Sequence, residues 1–307
     1  MQKPRRACVF AHYDPRGEVA DYVLYYLDAL ASEVEELVLV STAALNASAR
    51  EQLARRPIQL IVRENRGYDF CSYRAGIDEL DVAQFDELVI CNDSVFGPFR
   101  PLSELFRRAA SSSANLLGLT ASTEIAFHLQ SYFLVFRSPL LSSTCFTDFW
   151  KELEPLGDKQ QIIEEQEVGL TQFFLSRGYT VDAIYDRKGK DSPQRVLRAS
   201  TYYGDALRRR WRDPEFWRAV RQVLFRGRRL GVNPTHADWR YLLEELAFPF
   251  LKIELLRDNP KQLRDLDVWP QIVASQGGYP VGLIRDHLKT ARGMRDGEET
   301  TGASPRA

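Results

Sequence analysis

Residues 87–99 have the sequence Glu87-Leu88-Val89-Ile90-Cys91-Asn92-Asp93-Ser94-Val95-Phe96-Gly97-Pro98-Phe99, and this stretch decides the fold of the chain. It begins with aliphatic and β-branched residues, which is typical of a strand buried on both faces of a parallel sheet. The strand stops at Asn92-Asp93-Ser94, and the chain then turns at Gly97-Pro98. Open α/β sheets bind ligands beyond the carboxyl ends of their strands, so Asp93 would lie where a substrate or a metal binds. The alternative is that Asp93 only caps the next turn.

Strand and helix segments alternate on both sides of this stretch. Short apolar runs predict the strands, and apolar residues at helical spacing predict the helices between them. Strands are expected at Ala7–Ala11, Leu37–Val40, Ile58–Val62, Asn115–Thr120, His128–Phe136 and Tyr179–Tyr185, and helices at Val19–Ala31, Ala47–Arg56, Cys71–Leu80 and Pro101–Ala110. This alternation indicates an α/β protein with a mostly parallel sheet and right-handed crossovers.

The composition of the 307 residues is that of a globular protein, with 44% hydrophobic and 27% charged residues. Because 41 Lys and Arg residues balance 42 Asp and Glu residues, we expect no nucleic-acid partner. The four cysteines are widely spaced without a CxxC pair, which favours reduced thiols over disulfides or a zinc site. There is no signal peptide and no apolar run long enough to span a bilayer, so we expect a cytoplasmic protein.

Two further segments, the loop at Gly67 and the strand 128–136, are candidates for a binding site. Gly67 follows the third predicted strand, where it would permit a positive φ angle or a close approach of backbone to ligand, or would simply form a turn. Alternation along the strand 128–136 would place His128, Gln130 and Tyr132 on one face. The alternative for His128 is a core histidine whose hydrogen bonds are satisfied.

An acidic segment, Glu164-Glu165-Gln166-Glu167, is predicted to open a helix that ends at Gly178. Glu164 and Glu165 are explained by the helix dipole, which favours carboxylates in the first turn. Glu167 differs because the apolar face of the helix begins directly after it. A partly buried carboxylate at this position could have the raised pKa that a general base requires, although its position alone does not establish that role.

The composition changes after about residue 190. We expect one domain over residues 1–190, a mainly helical region over 191–289 and a disordered tail over 290–307. The segment 207–229 is rich in arginine and tryptophan. It is either a solvated basic helix face or a peripheral contact with anionic lipid headgroups at the inner face of the plasma membrane.

Common nucleotide-binding and hydrolase motifs such as GxGxxG, GxxxxGKS/T, HExxH and GxSxG are absent. Three blocks occur in order instead: 64–70 with 73–76, then 92–98, then 128–133 continuing to 167–171. Together with the segment Pro249–Pro260, they resemble GT-A-fold glycosyltransferases, and more closely the rhamnan synthesis protein F family of bacterial polysaccharide assembly. The resemblance implies a GT-A-like, Rossmann-type sheet flanked by helices, with a helical C-terminal extension.

The resemblance also implies roles for individual residues. Asp93 would act in catalysis and hold Mg²⁺ or Mn²⁺ against the donor diphosphate, although the family's Asp-x-Asp pattern is reduced here to Asn92-Asp93-Ser94. Arginine and lysine side chains are the alternative means of neutralising the diphosphate. Glu167 would deprotonate the acceptor. The nucleotide-sugar would contact His12, Asp14, Asn65, Gly67, Asp69, Arg74, Asn92 and Ser94, and the acceptor or donor sugar would contact His128, Gln130 and Tyr132.

The function implied is transfer of a sugar from a nucleotide-diphosphate donor to a surface polysaccharide or a lipid-linked glycan, with inversion at the anomeric carbon. The family suggests rhamnose from dTDP-rhamnose. Because the metal and base motifs are incomplete, a non-catalytic nucleotide-sugar-binding scaffold in a glycan assembly complex is the alternative. A different α/β enzyme that uses the strand tip for Mg²⁺ and phosphate chemistry is a third hypothesis.

Overall fold

A computed structural model describes residues 3–185, 212, 233–260 and 262–301, with the side chains of 292–301 left aside. The strands are β1 Arg6–His12, β2 Glu36–Ser41, β3 Gln59–Val62, β4 Glu87–Asn92, β5 Val95–Phe96, β6 Leu116–Gly118, β7 Ala121–Ser122, β8 His128–Leu129, β9 Phe133–Arg137, β10 Val181–Ala183 and β11 Leu251–Lys252. The α-helices are α1 Asp21–Ala31, α2 Ala47–Ala54, α3 Tyr68–Asp78, α4 Leu102–Ala109, α5 Thr144–Lys151, α6 Lys159–Gln161, α7 Gly169–Ser176, α8 Pro234–Ala237, α9 Trp239–Glu244, α10 Ile253–Asp258, α11 Trp269–Ala274 and α12 Val281–Thr301. Short 3-10 turns lie at Val82–Gln84 and Leu266–Val268, and a π-helical segment lies at Ile162–Val168.

The central sheet has seven strands in the order β10-β6-β9-β4-β1-β2-β3. Strand β9 is antiparallel to both of its neighbours, and the remaining pairs are parallel. Apolar clusters cover both faces of the sheet beneath the helices. The fold is therefore the predicted GT-A-like, mostly parallel sheet flanked by helices.

Strand β4 lies near the middle of the sheet, and all of its residues are buried. It is paired on one side with β1 and on the other with β9, so its backbone donors and acceptors are used on both edges. The parallel register places Asn92 beside Ala11. The polar residues that follow β4 and β1 are consequently neighbours at one edge of the sheet.

The prediction of one continuous strand over 128–136 is wrong. His128–Leu129 instead pairs with β7 in a small antiparallel ladder, and β9 begins only at Phe133. Gln130 N still donates to the Thr120 carbonyl (3.0 Å), whereas Ser131 N donates to the Glu167 carboxylate (2.6 Å), so the pairing is interrupted at Ser131. Thr120 Oγ1 donates to the buried side chain of Gln130 (2.7 Å) and bonds the Tyr132 hydroxyl (2.7 Å). These buried polar groups are satisfied by the break between β8 and β9.

The predicted helix start at Glu164 is also wrong. The helical segment begins at Lys159, because the Asp158 carboxylate caps it by accepting from Gln161 N (3.0 Å). The π-helical segment Ile162–Val168 contains the acidic residues, so Glu167 lies well inside the helical segment rather than in its first turn. Its orientation is set by the π-helical geometry and not by a helix terminus.

Segments near the C-terminus pack on the same core. Strand β11 pairs antiparallel with β5, and the ring of Phe250 lies 5.0 Å from that of Tyr26. Helix α12 buries Ile284 and continues past residue 290, where the composition predicted the start of a disordered tail. Residues 302–307 and, apart from Arg212, the basic segment 207–229 lie outside the described residues. The domain division at residue 190 stays a prediction. Within the described part of the chain, no helix combines the length and apolar character needed to cross a bilayer.

A buried ion-pair network joins β1, β4 and β9. Glu87 Oε2 lies 2.6 Å from Arg6 Nη2, and Glu87 Oε1 accepts from Arg137 Nε at 2.6 Å. The Arg6 guanidinium also lies over the Phe106 ring, 3.8 Å from its centroid. Removing Glu87 would leave two arginines without their counter-charge in a buried site.

We therefore expect Glu87→Gln to lower the free energy of unfolding by about 3–5 kcal/mol, as for other buried pairs that lose one partner. Urea unfolding measures this loss. The matched control is Glu51→Gln, since Glu51 pairs with Arg55 on the surface and should cost at most about 1 kcal/mol. Equal losses in the two variants would contradict a structural role for the network.

Candidate functional site

A cleft of about 430 Å³ opens beyond the carboxyl end of β4. Polar and charged side chains from distant parts of the chain line it, among them Asp69, Asn92, Ser94, Gln130, Tyr132, Glu167 and Lys252. These residues come from the start of α3, the tip of β4, the β8–β9 connection, the π-helical segment and β11. The cleft is the place where an open α/β sheet binds its ligand.

A chain of hydrogen bonds crosses the floor of the cleft. Lys252 Nζ donates to Ser94 Oγ (3.2 Å), and Ser94 Oγ donates to Asn92 Oδ1 (2.6 Å). Asn92 Nδ2 then donates to Asp69 Oδ2 (2.7 Å). The chain runs from an ammonium to a carboxylate, and each member between them is both donor and acceptor.

Lys252 is the residue that sequence reasoning missed. Its ammonium is half-buried and lies 4.1 Å from the centroid of the Tyr132 ring. Burial lowers the pKa of Lys252 to about 8, and the nearby carboxylates of Glu167, Glu254 and Asp69 oppose that shift. Lys252 therefore remains mostly protonated at neutral pH. A lysine inside the apolar run Phe250–Ile253 was the available signal, because a charge is rarely buried without a partner.

Glu167 lies in the cleft on a different element. Its Oε1 accepts from the backbone N of Ser131 (2.6 Å) and from the Ser131 hydroxyl (2.9 Å). The side chain is half-buried. The two donors fix the carboxylate at the rim of the cleft, within the site predicted from sequence.

Asp93 lies on the other side of the β4 tip. Its Oδ2 accepts from Tyr13 N (2.9 Å), and its carbonyl accepts from the Tyr22 hydroxyl (3.0 Å). Burial raises the pKa of Asp93 to about 7. Burial, with the charge of Asp93 nearby, also raises the pKa of Asp69 to about 6. Asp69 lines the cleft, whereas Asp93 does not.

His12 and Asp14 are held within the loop that follows β1. The ring Nδ1 of His12 lies 3.1 Å from Ser41 Oγ, and burial lowers the pKa of His12 to about 4. The Asp14 carboxylate accepts from Arg16 N (2.8 Å) and so closes its own turn. Neither side chain lines the cleft.

The other predicted residues divide between the cleft rim and the scaffold. Gly67 has the positive φ that the sequence allowed, +76°, and a Cβ there would collide with Cys71. Asn65 is exposed nearby, and Arg74 donates to the Leu153 carbonyl (3.1 Å) rather than into the cleft. His128 is buried with Nδ1 2.8 Å from the Ala126 carbonyl oxygen, so Gln130 and Tyr132 reach the cleft without it.

The side chains at the strand tip do not fit a divalent cation. Across the described residues, no three His, Cys, Asp or Glu side chains are grouped as metal ligands. Asn92 Oδ1 already accepts from Ser94, and the Lys252 ammonium lies against Ser94 Oγ. A cation placed there would face the like charge of Lys252, and the adjacent carboxylate of Asp69 already accepts from Asn92 Nδ2, so the pair of free carboxylates that Mg²⁺ and Mn²⁺ prefer is not offered at the strand tip.

Comparisons with known proteins identify a family and several relatives. The model of the family described as rhamnan synthesis protein F matches residues 37–219. Uncharacterized protein y4gN of Sinorhizobium fredii is 30% identical over 193 residues, which are 61% of this chain and 49% of that protein. Virulence protein VirA of Vibrio anguillarum is 29% identical over 208 residues, 65% of this chain and 62% of that one. The matches thus span about half of one curated relative and less than two thirds of the other.

Two solved structures are similar at low identity. The glycosyltransferase GlyE of Streptococcus pneumoniae TIGR4 matches over 94% of this chain and 64% of its own, with 11% identity and a TM-score of 0.41. Glucosyl-3-phosphoglycerate synthase from Mycobacterium tuberculosis, solved in complex with Mn²⁺, UDP and phosphoglyceric acid, matches over 64% of this chain and 74% of its own. Its identity is 11% and its TM-score is 0.39.

The raised pKa of Asp93 predicts a pH-dependent stability. A carboxyl group with a raised pKa in the folded state contributes stability below its unfolded pKa, and this contribution is lost as the pH rises through about 7. Asp93→Asn removes the charge but keeps an acceptor for Tyr13 N. Asp93→Asn changes the free energy of unfolding at each pH. We expect this change to be more stabilising at pH 8 than at pH 5, by on the order of 2 kcal/mol.

Urea titrations at the two pH values measure this difference. Asp148→Asn, on the exposed face of α5, is the matched control and should have the same effect at both pH values. An Asp93→Asn variant whose effect does not depend on pH would show that Asp93 is ionised normally.

Proposed function

This chain belongs to the rhamnan synthesis protein F family, and we propose that it is a glycosyltransferase that uses a nucleotide-diphosphate sugar as donor. We further propose that the acceptor is a growing bacterial surface polysaccharide or a lipid-linked glycan, and that dTDP-rhamnose is the donor. The family supports the last two assignments, whereas the residues of the cleft support the general reaction.

One observation carries the proposal: a base and a cation line the same cleft from different elements. Glu167 reaches it from the π-helical segment, and Lys252 reaches it from β11. Transfer of a sugar from a nucleoside diphosphate needs a group that takes a proton from the acceptor and a group that stabilises the departing phosphate. The cleft of about 430 Å³ offers both, in a volume typical of small-molecule sites.

The proposed reaction is a single in-line displacement. The acceptor hydroxyl oxygen forms a bond to the anomeric carbon while the bond from that carbon to the diphosphate oxygen breaks. The bonding electron pair leaves with the nucleoside diphosphate, and the hydroxyl proton passes to the Glu167 carboxylate. Ser131 holds that carboxylate in place through its backbone and side-chain donors, which limits the motion needed at the moment of reaction.

The remaining residues of the cleft have proposed binding roles. Tyr68 is 46% exposed at the rim and offers an aromatic face for the nucleoside base, with Asp69 beside it for the ribose. Gln130 and Tyr132 lie near Glu167, where the transferred sugar or the acceptor would bind. His12, Asp14, Arg74 and His128 support the surrounding loops rather than touch the ligand.

Glu167→Gln tests the assignment of the base. The amide keeps an oxygen acceptor for Ser131 but cannot take up the proton, so we expect the transfer rate to fall about 100- to 10,000-fold. Donor binding should be retained, because Lys252, the proposed partner of the diphosphate, is unchanged in this variant. Transfer from a panel of nucleotide-diphosphate sugars to glycan acceptors, followed by chromatography of released nucleoside diphosphate, measures both hydrolysis and transfer.

The matched control is Glu165→Gln, which removes an exposed carboxylate from the same helical segment and should leave the rate nearly unchanged. Full activity of Glu167→Gln would exclude Glu167 as the base. Nucleotide-sugar binding by calorimetry without turnover of any acceptor would instead favour the non-catalytic scaffold.

A further inference from the structure

The tip of β4 separates its three polar side chains between two sides. Asn92 and Ser94 line the cleft and bond each other, whereas Asp93 between them bonds the backbone of the β1 loop. Strand β4 ends at Asn92, and in the bend that follows both the backbone N (3.2 Å) and the hydroxyl (2.6 Å) of Ser94 donate to Asn92 Oδ1, which holds these two side chains on the same side. A pair of metal-binding carboxylates spaced two residues apart would therefore occupy positions 92 and 94. Both of these positions carry neutral side chains.

The neutral side chains have a positive partner. Lys252 Nζ is 3.2 Å from Ser94 Oγ, at the end of the hydrogen-bond chain that reaches Asp69 through Asn92. An aspartate at position 92 could not donate to Asp69, and it would place a second negative charge beside that carboxylate. The identities of Asn92 and Ser94 thus suit a site built around an ammonium.

We propose that the Lys252 ammonium neutralises the donor diphosphate in this cleft and takes the place that a divalent cation would have. The proposal rests on the glycosyltransferase function proposed above and specifies how its leaving group is stabilised. An ammonium has three donors, of which one is used by Ser94. No other acceptor among the described residues is bonded to it, so the remaining two donors are proposed to bind phosphate oxygens in the adjacent cleft.

Burial lowers the pKa of Lys252, and the neighbouring groups oppose that shift and fix the position of the ammonium. The carboxylates of Glu167, Glu254 and Asp69 act on it electrostatically, and the face of the Tyr132 ring lies 4.1 Å from the ammonium. Its backbone is held by pairing with Val95 in the β5–β11 ladder. A lysine positioned in this way needs little reorganisation when the leaving group gains charge.

The test is calorimetric titration of the full chain with uridine, thymidine, guanosine and cytidine diphosphates, in EDTA and in Mg²⁺ or Mn²⁺. We expect at least one nucleoside diphosphate to bind in EDTA with nearly the affinity it has in metal. Lys252→Met should weaken that binding by about 10- to 100-fold, the range for losing a hydrogen-bonded charge. Lys252→Arg, which keeps the charge, should retain most of the affinity.

Lys151→Met is the matched control, because Lys151 is exposed at the end of α5 and outside the cleft. Because Lys252→Met removes the hydrogen bond to Ser94 and the positive charge near Asp69, its melting temperature is measured as well, and binding is compared at a temperature at which both proteins are folded. Binding that requires Mg²⁺ or Mn²⁺, or that Lys252→Met leaves nearly unchanged, overturns the role of Lys252 but leaves the proposed function standing. Failure of every nucleoside diphosphate to bind under either condition overturns both.

Discussion

The pairing of β5 with β11 is the constraint on which the cleft depends. Each strand has only two residues, and a ladder of that length is marginal in isolation. It is held because Ile253 N donates to the Ser94 carbonyl (3.0 Å) and because Phe250 is buried against Tyr26 and Phe133. The apolar anchor therefore fixes Lys252, which follows two residues later. Apolar packing determines where the charge of the cleft lies.

The sequence predicted the parts of the fold that depend on local patterns. Strand β4 was recognisable because Leu88–Cys91 are continuously apolar, and the positive φ of Gly67 was recognisable because glycine often occupies such turns. Lys252 could not be placed in the same way. It lies 158 residues from Ser94 in sequence, and the pairing that joins them is determined by tertiary packing rather than by any spacing.

The two errors of secondary structure have a common cause. Alternation over 128–136 and acidic residues at 164–167 are both weak local signals, and in each case a buried or capping polar group decided the outcome. Ser131 N donates to the Glu167 carboxylate where the strand is interrupted, while Asp158 caps the helical segment before the acidic residues begin. In both places, specific hydrogen bonds determined the secondary structure, and the local sequence pattern did not.

The carboxylates beside the β4 tip lie where charge is costly, since burial raises the pKa of both Asp69 and Asp93. Stability alone would favour neutral side chains at this position, such as those of Asn92 and Ser94 on either side of Asp93. Asp69 lies at the far end of a hydrogen-bond chain that begins at Lys252, and its negative charge balances part of the charge of the ammonium. A bound diphosphate would take over that balancing role, and the protonation of Asp69, whose pKa lies near 6, would then become easier. The negative charge of the diphosphate would then replace the negative charge of Asp69 as the partner of the Lys252 ammonium. A bound metal cation would not require this replacement.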